Sequence, residues 1–264
     1  MSEKQLDPKF NPFFARPKKT TKIDAMIAIV SGKGGVGKST VTSLLATHTQ
    51  RLGFQTAILD GDITGPSMAK MFGITENARG DEDGIYPAIT QTGIELMSSN
   101  MMLDNEDTPV LWRGPMIGTA VKEFYTDVLW GNVDVMYVDM PPGTGDVPLT
   151  VYQSLPLKGI ILVTTPQDLV SMIVSKAVSM ANQMHIPILG IIENMSYMEC
   201  GHCGEKMYPF GQSKLDEFAS SYNIPVLGKL PIRPIYNELA DQGSVEEIVS
   251  QEFEEIVAGL FAQG

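Results

Sequence analysis

Ile27-Ala-Ile-Val-Ser-Gly-Lys-Gly-Gly-Val-Gly-Lys-Ser-Thr40 decides the reading of this chain. Its apolar opening reads as a buried strand. The strand feeds directly into Gly32-Lys-Gly-Gly-Val-Gly-Lys-Ser39, which fits the phosphate-binding pattern G-x-x-x-x-G-K-[ST] in register and in context. A loop wrapped round a polyphosphate brings backbone N–H groups up to oxygens, so side chains must be absent where the backbone approaches. Gly32, Gly34, Gly35 and Gly37 meet that need, with Val36 between them. Lys38 is the candidate charge between the β- and γ-phosphates, and Ser39 the hydroxyl for Mg2+. A helix opening at about Gly37, through Ser39 and Thr40, adds its N-terminal dipole. The bland alternative is a glycine-rich strand-to-helix turn without a ligand.

Lys33 is not demanded by that pattern. The K-G-G-x-G-K-[ST] variant resembles the deviant phosphate loop of ATPases that dimerise face to face over two nucleotides. The resemblance implies that Lys33 reaches the partner's ATP, as an arginine finger does in trans. Otherwise it is an ordinary solvated lysine.

With 264 residues the chain is long enough for one large α/β domain or two small ones. Lys and Arg total 19 against 31 acidic residues, a net charge of −12. That balance argues against sequence-independent binding to nucleic acid or anionic membranes. No run approaches the roughly 18 apolar residues of a membrane span, and the N-terminus lacks the layout of a secretion signal. The expectation is a cytoplasmic protein.

Residues 1–22 are polar and punctuated by Pro8, Pro12 and Pro17, so they read as a flexible or surface-draped arm. From 23 to 264 no repeat or linker divides the chain. A helix is expected from Ser39 to about Leu52, with His48 in a structural role. The next strand ends in Asp60-Gly-Asp62, placing two carboxylates where open α/β sheets hold ligands. Asp62 is the candidate to orient the attacking water and Asp60 to hold the metal's water shell; alternatively both form a turn and cap a helix near Pro66. Two short edge strands, 85–89 and 94–98, follow an exposed loop. The apolar run 133–139 ends in Asp139, a Walker B arrangement for Mg2+, and leads into Met140-Pro-Pro-Gly-Thr144-Gly-Asp146, a second switch candidate. Strands 159–165 and 186–192 come next, the latter ending at Glu193-Asn194. The Asn194 amide can read adenine. A last strand, 224–230, leads to Pro231; it and Asn194 are the candidate contacts to the rest of the nucleotide. A terminal amphipathic but acidic helix runs over 245–261.

Cys200-Gly-His-Cys203 holds the only two cysteines. A C-x-x-C turn suits a redox dithiol, half a zinc site or half an iron–sulfur site.

Gly32 to Thr40, Asp60 to Ser67, Trp112 to Pro115, Val138 to Asp146 and Glu193 to Gly204 together resemble the Mrp/ApbC-type ATPases that assemble and carry iron–sulfur clusters. The likeness covers nearly everything from about Ile23 onward. Septum-placing and chromosome-partition relatives share the loop but not the C-x-x-C, and the nitrogenase iron protein bridges a cluster with cysteines far apart in sequence. Where the family often has proline after the first cysteine, this chain has Gly201. The resemblance implies an α/β fold: a single P-loop NTPase domain, a mostly parallel twisted sheet with helices on both faces and a C-x-x-C insertion. It also implies a homodimeric Mg2+-dependent ATP hydrolase with apo iron–sulfur proteins and cluster assembly proteins as partners. Lys33, Lys38 and Asp62 carry the chemistry, Ser39, Asp60 and Asp139 the Mg2+. The expectation is one [4Fe–4S] cluster bridging the dimer through Cys200 and Cys203 of each chain. A nucleotide-switched positioning ATPase without a cluster is the alternative.

Overall fold

Strand β1 (Lys22–Ser31) sits at the centre of a mostly parallel sheet, between β7 (Asn132–Asp139) and β8 (Gly159–Thr164). The computed structural model describes residues 14–18, 20–63, 65–102, 114–143, 145–167 and 172–262. Outward from β7 lie β2 (Thr56–Asp60), β6 (Glu95–Met97) and the antiparallel edge strand β5 (Ala88–Ile89). Outward from β8 come β9 (Ile188–Glu199) and β11 (Val226–Pro231), while β10 (Lys206–Met207) folds back antiparallel on the end of β9. Two short strands, β3 (Arg79–Gly80) and β4 (Ile85–Tyr86), form a separate ribbon.

Period-two alternation sends neighbouring β1 residues to opposite faces. Met26, Ala28 and Val30 join the core beneath α3 (Gly114–Asp127), α4 (Asp146–Ser154), α5 (Met172–Gln183) and α6 (Leu215–Tyr222). Ile27 and Ile29 join the other core, with α1 (Lys38–Arg51), α2 (Met68–Met71), α7 (Pro234–Asp241) and α8 (Gln251–Phe261). Covering both faces explains the continuous apolar runs of the parallel strands. The expected single α/β domain with helices on both faces is what the chain forms.

Several boundaries differ from the sequence reading. β1 starts at Lys22, ahead of the apolar run, because Lys22 and Ile23 pair with Asn132 and Val133 of β7. Of the expected arm, residues 14–18 and 20–22 are described; Ala15 is buried and donates its N–H to the Ser154 carbonyl. β9 runs past Asn194 to Glu199, held by β11 and β10. The terminal helix is divided: Val245–Glu247 is a 3-10 turn and α8 begins at Gln251. Tertiary partners claim the intervening groups. Arg51 donates to the Glu246 and Ile248 carbonyls, and the Ser250 N–H donates to His48 Nε2 at 3.2 Å.

His48 is structural, as expected. It is buried, with Nδ1 2.8 Å from the Leu44 carbonyl, and burial, chiefly, lowers its pKa. Met180 and Met184 pack against the core. Phe10, Phe13, Trp112, Arg113, Thr144 and Asp168, and the side chains of Asp146 and Met172, lie outside the described residues.

Candidate nucleotide site and cysteine turn

The glycine loop closes between the end of β1 and the first turn of α1. Gly37 caps α1 at φ 78°, a left-handed conformation costly for any residue with a Cβ. A Cβ there would also collide with the Asn194 amide. Ser31 Oγ donates to the Lys33 carbonyl at 2.9 Å, and the Gly143 N–H donates to the Ser31 carbonyl, fastening the loop to the chain after β7. The result is a cavity of about 220 Å³ lined by the backbone from Lys33 to Thr40, with Ser31, Asp62 and Pro142 at its walls.

Parallel register does the rest. Asp60 ends β2 directly opposite Asp139 at the end of β7. Asp139 is completely buried and takes three donors: Lys38 Nζ at 2.6 Å, Ser39 Oγ at 2.6 Å and Thr42 Oγ1 at 2.8 Å. Lys38 Nζ also stands 4.0 Å from an Asp62 oxygen. Thr42 and Ser98 are the functional-site residues that sequence reasoning missed. Thr42 lies one helical turn after Lys38, and Ser98 comes just after β6, donating to Asp60 Oδ2 at 2.8 Å. The available signal was a hydroxyl at the carboxyl end of a parallel strand, where open sheets gather polar groups.

Asp60 also accepts the Asp62 N–H at 3.1 Å and the Met68 N–H at 3.4 Å, so the turn-forming reading holds for it alongside its place in the carboxylate pair. Burial, and next the Asp139 charge, push its carboxyl up to about 7. Two adjacent buried carboxylates, with a serine hydroxyl beside them, form a donor set suited to a hard divalent cation and its water. A folded pKa above the unfolded value means a contribution fully present at low pH and lost as pH rises from the ordinary 3.8 through about 7. The ligand-free protein is therefore expected to lose stability from Asp60 between about pH 4 and 7. Denaturation midpoints of parent and Asp60→Asn, compared across that range, check this; a constant difference between them contradicts it.

Lys33 is exposed and lines the cavity mouth. Asn194 Nδ2 donates to the Val36 carbonyl at 2.9 Å, and its Oδ1 accepts the Met195 N–H at 3.0 Å. One amide hydrogen and one lone pair remain for another partner. Pro231 is buried opposite Tyr197 and does not line the cavity.

Cys200 and Cys203 are free thiols in a turn just beyond β9, well separated in sequence from the glycine loop but following directly on the strand that touches it. The Cys200 N–H donates to the Glu205 carbonyl and the Gly204 N–H to the Cys200 carbonyl, which brings the two sulfurs to one side of the turn. Hydrogen bonds from the Cys203 N–H, then the His202 N–H and the Cys203 thiol, hold the Cys200 thiol below its ordinary value. Residues 201–212 are all exposed. Two adjacent thiols, Cys203 exposed and Cys200 half-buried, match half of a four-thiolate site in number and kind.

Among the described residues no helix is long and apolar enough to cross a membrane. The family described as the NUBPL iron-transfer P-loop NTPase matches residues 22–262. A protein named iron-sulfur cluster carrier protein from Clostridium perfringens is 43% identical over 237 residues, 87% of this chain and 83% of its own length. Its namesake from Aquifex aeolicus is 43% identical over 251 residues, covering 95% and 68%. Among solved structures, a nucleotide-binding protein in complex with ADP from Archaeoglobus fulgidus superposes with a TM-score of 0.79 at 42% identity, covering 88% of this chain and 91% of that one. The septum site-determining protein MinD with Mg-ADP from Pyrococcus horikoshii shares the fold at a TM-score of 0.61 and 22% identity, over 90% and 96%. A phosphate loop carrying a second lysine, paired strand-end aspartates and a C-x-x-C turn on the same sheet thus occur in a chain that belongs to the iron-transfer P-loop NTPase family.

Proposed function

We propose that this chain is an Mg2+-dependent ATP hydrolase that carries an iron–sulfur cluster as cargo and passes it to apoproteins. The observation that carries the reading is the position of the thiol turn at the end of β9, the strand whose Asn194 holds the phosphate loop. The names of the similar proteins support the cargo, and the ADP in the Archaeoglobus structure supports the nucleotide.

In this reading the loop N–H groups and Lys38 bind the β- and γ-phosphates, with the α1 dipole behind them. Lys38 now rests on Asp139, so phosphate oxygens compete with that carboxylate for its ammonium. Ser39, Asp139 and Asp60 hold the metal and its water shell. Bound Mg2+ neutralises charge developing on the phosphate oxygens. Asp62, on the cavity wall, orients the attacking water, and Lys33 serves the nucleotide of a second copy. The spare hydrogen-bonding capacity of Asn194 reads the adenine edge, with Pro231 nearby on the neighbouring strand.

The cargo is one [4Fe–4S] cluster shared by two chains. Such a cluster takes four thiolates, each chain contains two cysteines, and a two-fold axis doubles any site on it. Anaerobic reconstitution with subsequent iron and sulfide analysis tests the reading. About two of each per chain, on a particle of dimer mass, is the expected result. Four of each on a monomer, or a reversible intramolecular disulfide without iron, overturns it.

A further inference from the structure

Strand β9 changes character in its middle. After one register shift at Leu189 it pairs in step with β8 from Gly190 to Glu193, with Thr164 opposite Glu193. Beyond that point Lys229 and Pro231 of β11 face Glu193 and Tyr197, so residues 194–196 together face Leu230 alone. Met195, inside this bulge, has φ 56°. A side chain in that left-handed region persists only where surrounding contacts enforce it.

Those contacts run in two directions. On one side Asn194 is bonded to the Val36 carbonyl and to the Met195 N–H, and Met195 Cε stands 3.7 Å from where a Gly37 Cβ would be. On the other, Ser196 Oγ donates to Glu193 at 2.7 Å, and the same fully buried carboxylate accepts the Ser213 hydroxyl at 3.0 Å. Ser213 in turn accepts the Leu215 N–H at the start of α6. The thiol turn hangs between these anchors: β9 leads into Cys200, β10 pairs with Met198 and Glu199, and the chain returns to Ser213 through exposed residues.

We infer that the strained bulge at 194–196 is the positioning device through which phosphate-loop occupancy sets the exposure of Cys200 and Cys203. In the ligand-free arrangement the loop carbonyl of Val36 holds Asn194, which holds Met195 in its left-handed state. A nucleotide that draws the loop N–H groups onto phosphate reorients Val36, releases that grip and lets the outer half of β9 shift against β11. Bulges beside active sites commonly re-aim the strand beyond them, and a strained segment supplies two discrete arrangements. The thiol turn moves with the shift because β10 ties it to the end of β9, while the Ile232 N–H on the Tyr197 carbonyl at 2.7 Å marks the point about which that end turns. The inference rests on the proposed cargo role only for its biological meaning, since the link itself exists in the cluster-free chain.

The test uses the reduced, cluster-free full-length protein at a concentration where light scattering gives the monomer mass. Modification of the two thiols by N-ethylmaleimide is timed with and without Mg-ADP. The parent's rate is expected to change about fivefold or more, a typical coupling between sites. Met195→Leu, which keeps the volume and the enforced conformation, is expected to behave like the parent. Met195→Gly is at ease at φ 56° and drops the contact with Gly37, so it is expected to bind Mg-ADP as the parent does while its thiols no longer respond. An equal response in Met195→Gly and parent, or no response in the parent, overturns the inference. Amide hydrogen exchange of residues 197–207 in the parent needs no variant; unchanged exchange on adding Mg-ADP also overturns it. A chain that never holds iron yet shows the Met195-dependent response refutes the cargo reading and keeps the link, and a cluster-bearing chain without the response does the reverse.

Discussion

Lys38→Ala is expected to abolish nucleotide binding in the micromolar range, with a loss of affinity of at least about a hundredfold. The side chain is only 6% exposed, and its ammonium neutralises Asp139 at 2.6 Å while standing 4.0 Å from Asp62. Without it an incoming polyphosphate faces the Asp62 carboxylate on the cavity wall, and Asp139 behind that wall is left without its ammonium. The variant also breaks a buried ion pair, which costs on the order of 3 kcal/mol because Asp139 is left uncompensated. Reduced binding alone is then open to the objection that the fold has loosened. The double variant Lys38→Ala, Asp139→Asn separates the two effects: removing the orphaned charge should restore most of the stability and none of the binding. Titration calorimetry with ATP and thermal denaturation give both quantities. An unchanged ATP affinity in Lys38→Ala would sink the phosphate-loop assignment.

The cysteine variants should produce the opposite pattern. Cys200→Ala and Cys203→Ala are each expected to lower reconstituted iron from about two per chain to background, because two-fold symmetry removes two of four ligands at once. Stability should move by no more than about 0.5 kcal/mol, since the turn at 201–204 is exposed and Cys203 with it. ATP affinity should remain within about twofold, a difference below roughly 0.5 kcal/mol. Iron and sulfide analysis beside ATP titration checks all of this. Retention of a full cluster by either single variant would remove the cysteine pair from the cargo site.

What was legible in the sequence was what short-range chemistry constrains. The loop from Gly32 to Ser39 has glycines and a lysine whose spacing is meaningful without any distant partner, and Asp139 at the end of an apolar run is readable by the same logic. Across the sheet, legibility fell away. Asn194 reads from the sequence as a candidate nucleotide contact, but its bond to the Val36 carbonyl joins residues 158 positions apart, and no local pattern announces it. The extension of β9 to Glu199 depends on pairing with β10 and with Pro231. The break at 248–250 in the expected final helix is imposed by His48 and Arg51, which lie 202 residues before Ser250 and 197 before Ile248; helical periodicity cannot register such a claim on the backbone. Ser98 became visible only when parallel register set β6 beside β2 and its hydroxyl beside Asp60.

The central place of β1 governs how this chain can be made. Its two neighbours, β7 and β8, lie more than a hundred residues downstream, ending at Asp139 and Thr164. At roughly 5–20 residues per second of synthesis, the strand that carries the phosphate loop waits about 7–27 s before both edges can be covered. During that interval the apolar run 27–30 presents unpaired backbone to the ribosome surroundings, a liability of late-closing parallel sheets. A ribosome stalled before β8 emerges should therefore display a nascent chain without nucleotide affinity and prone to capture by holdase chaperones. Slow codons placed before β8 would lengthen the exposure, whereas those placed after it would leave the loop already enclosed.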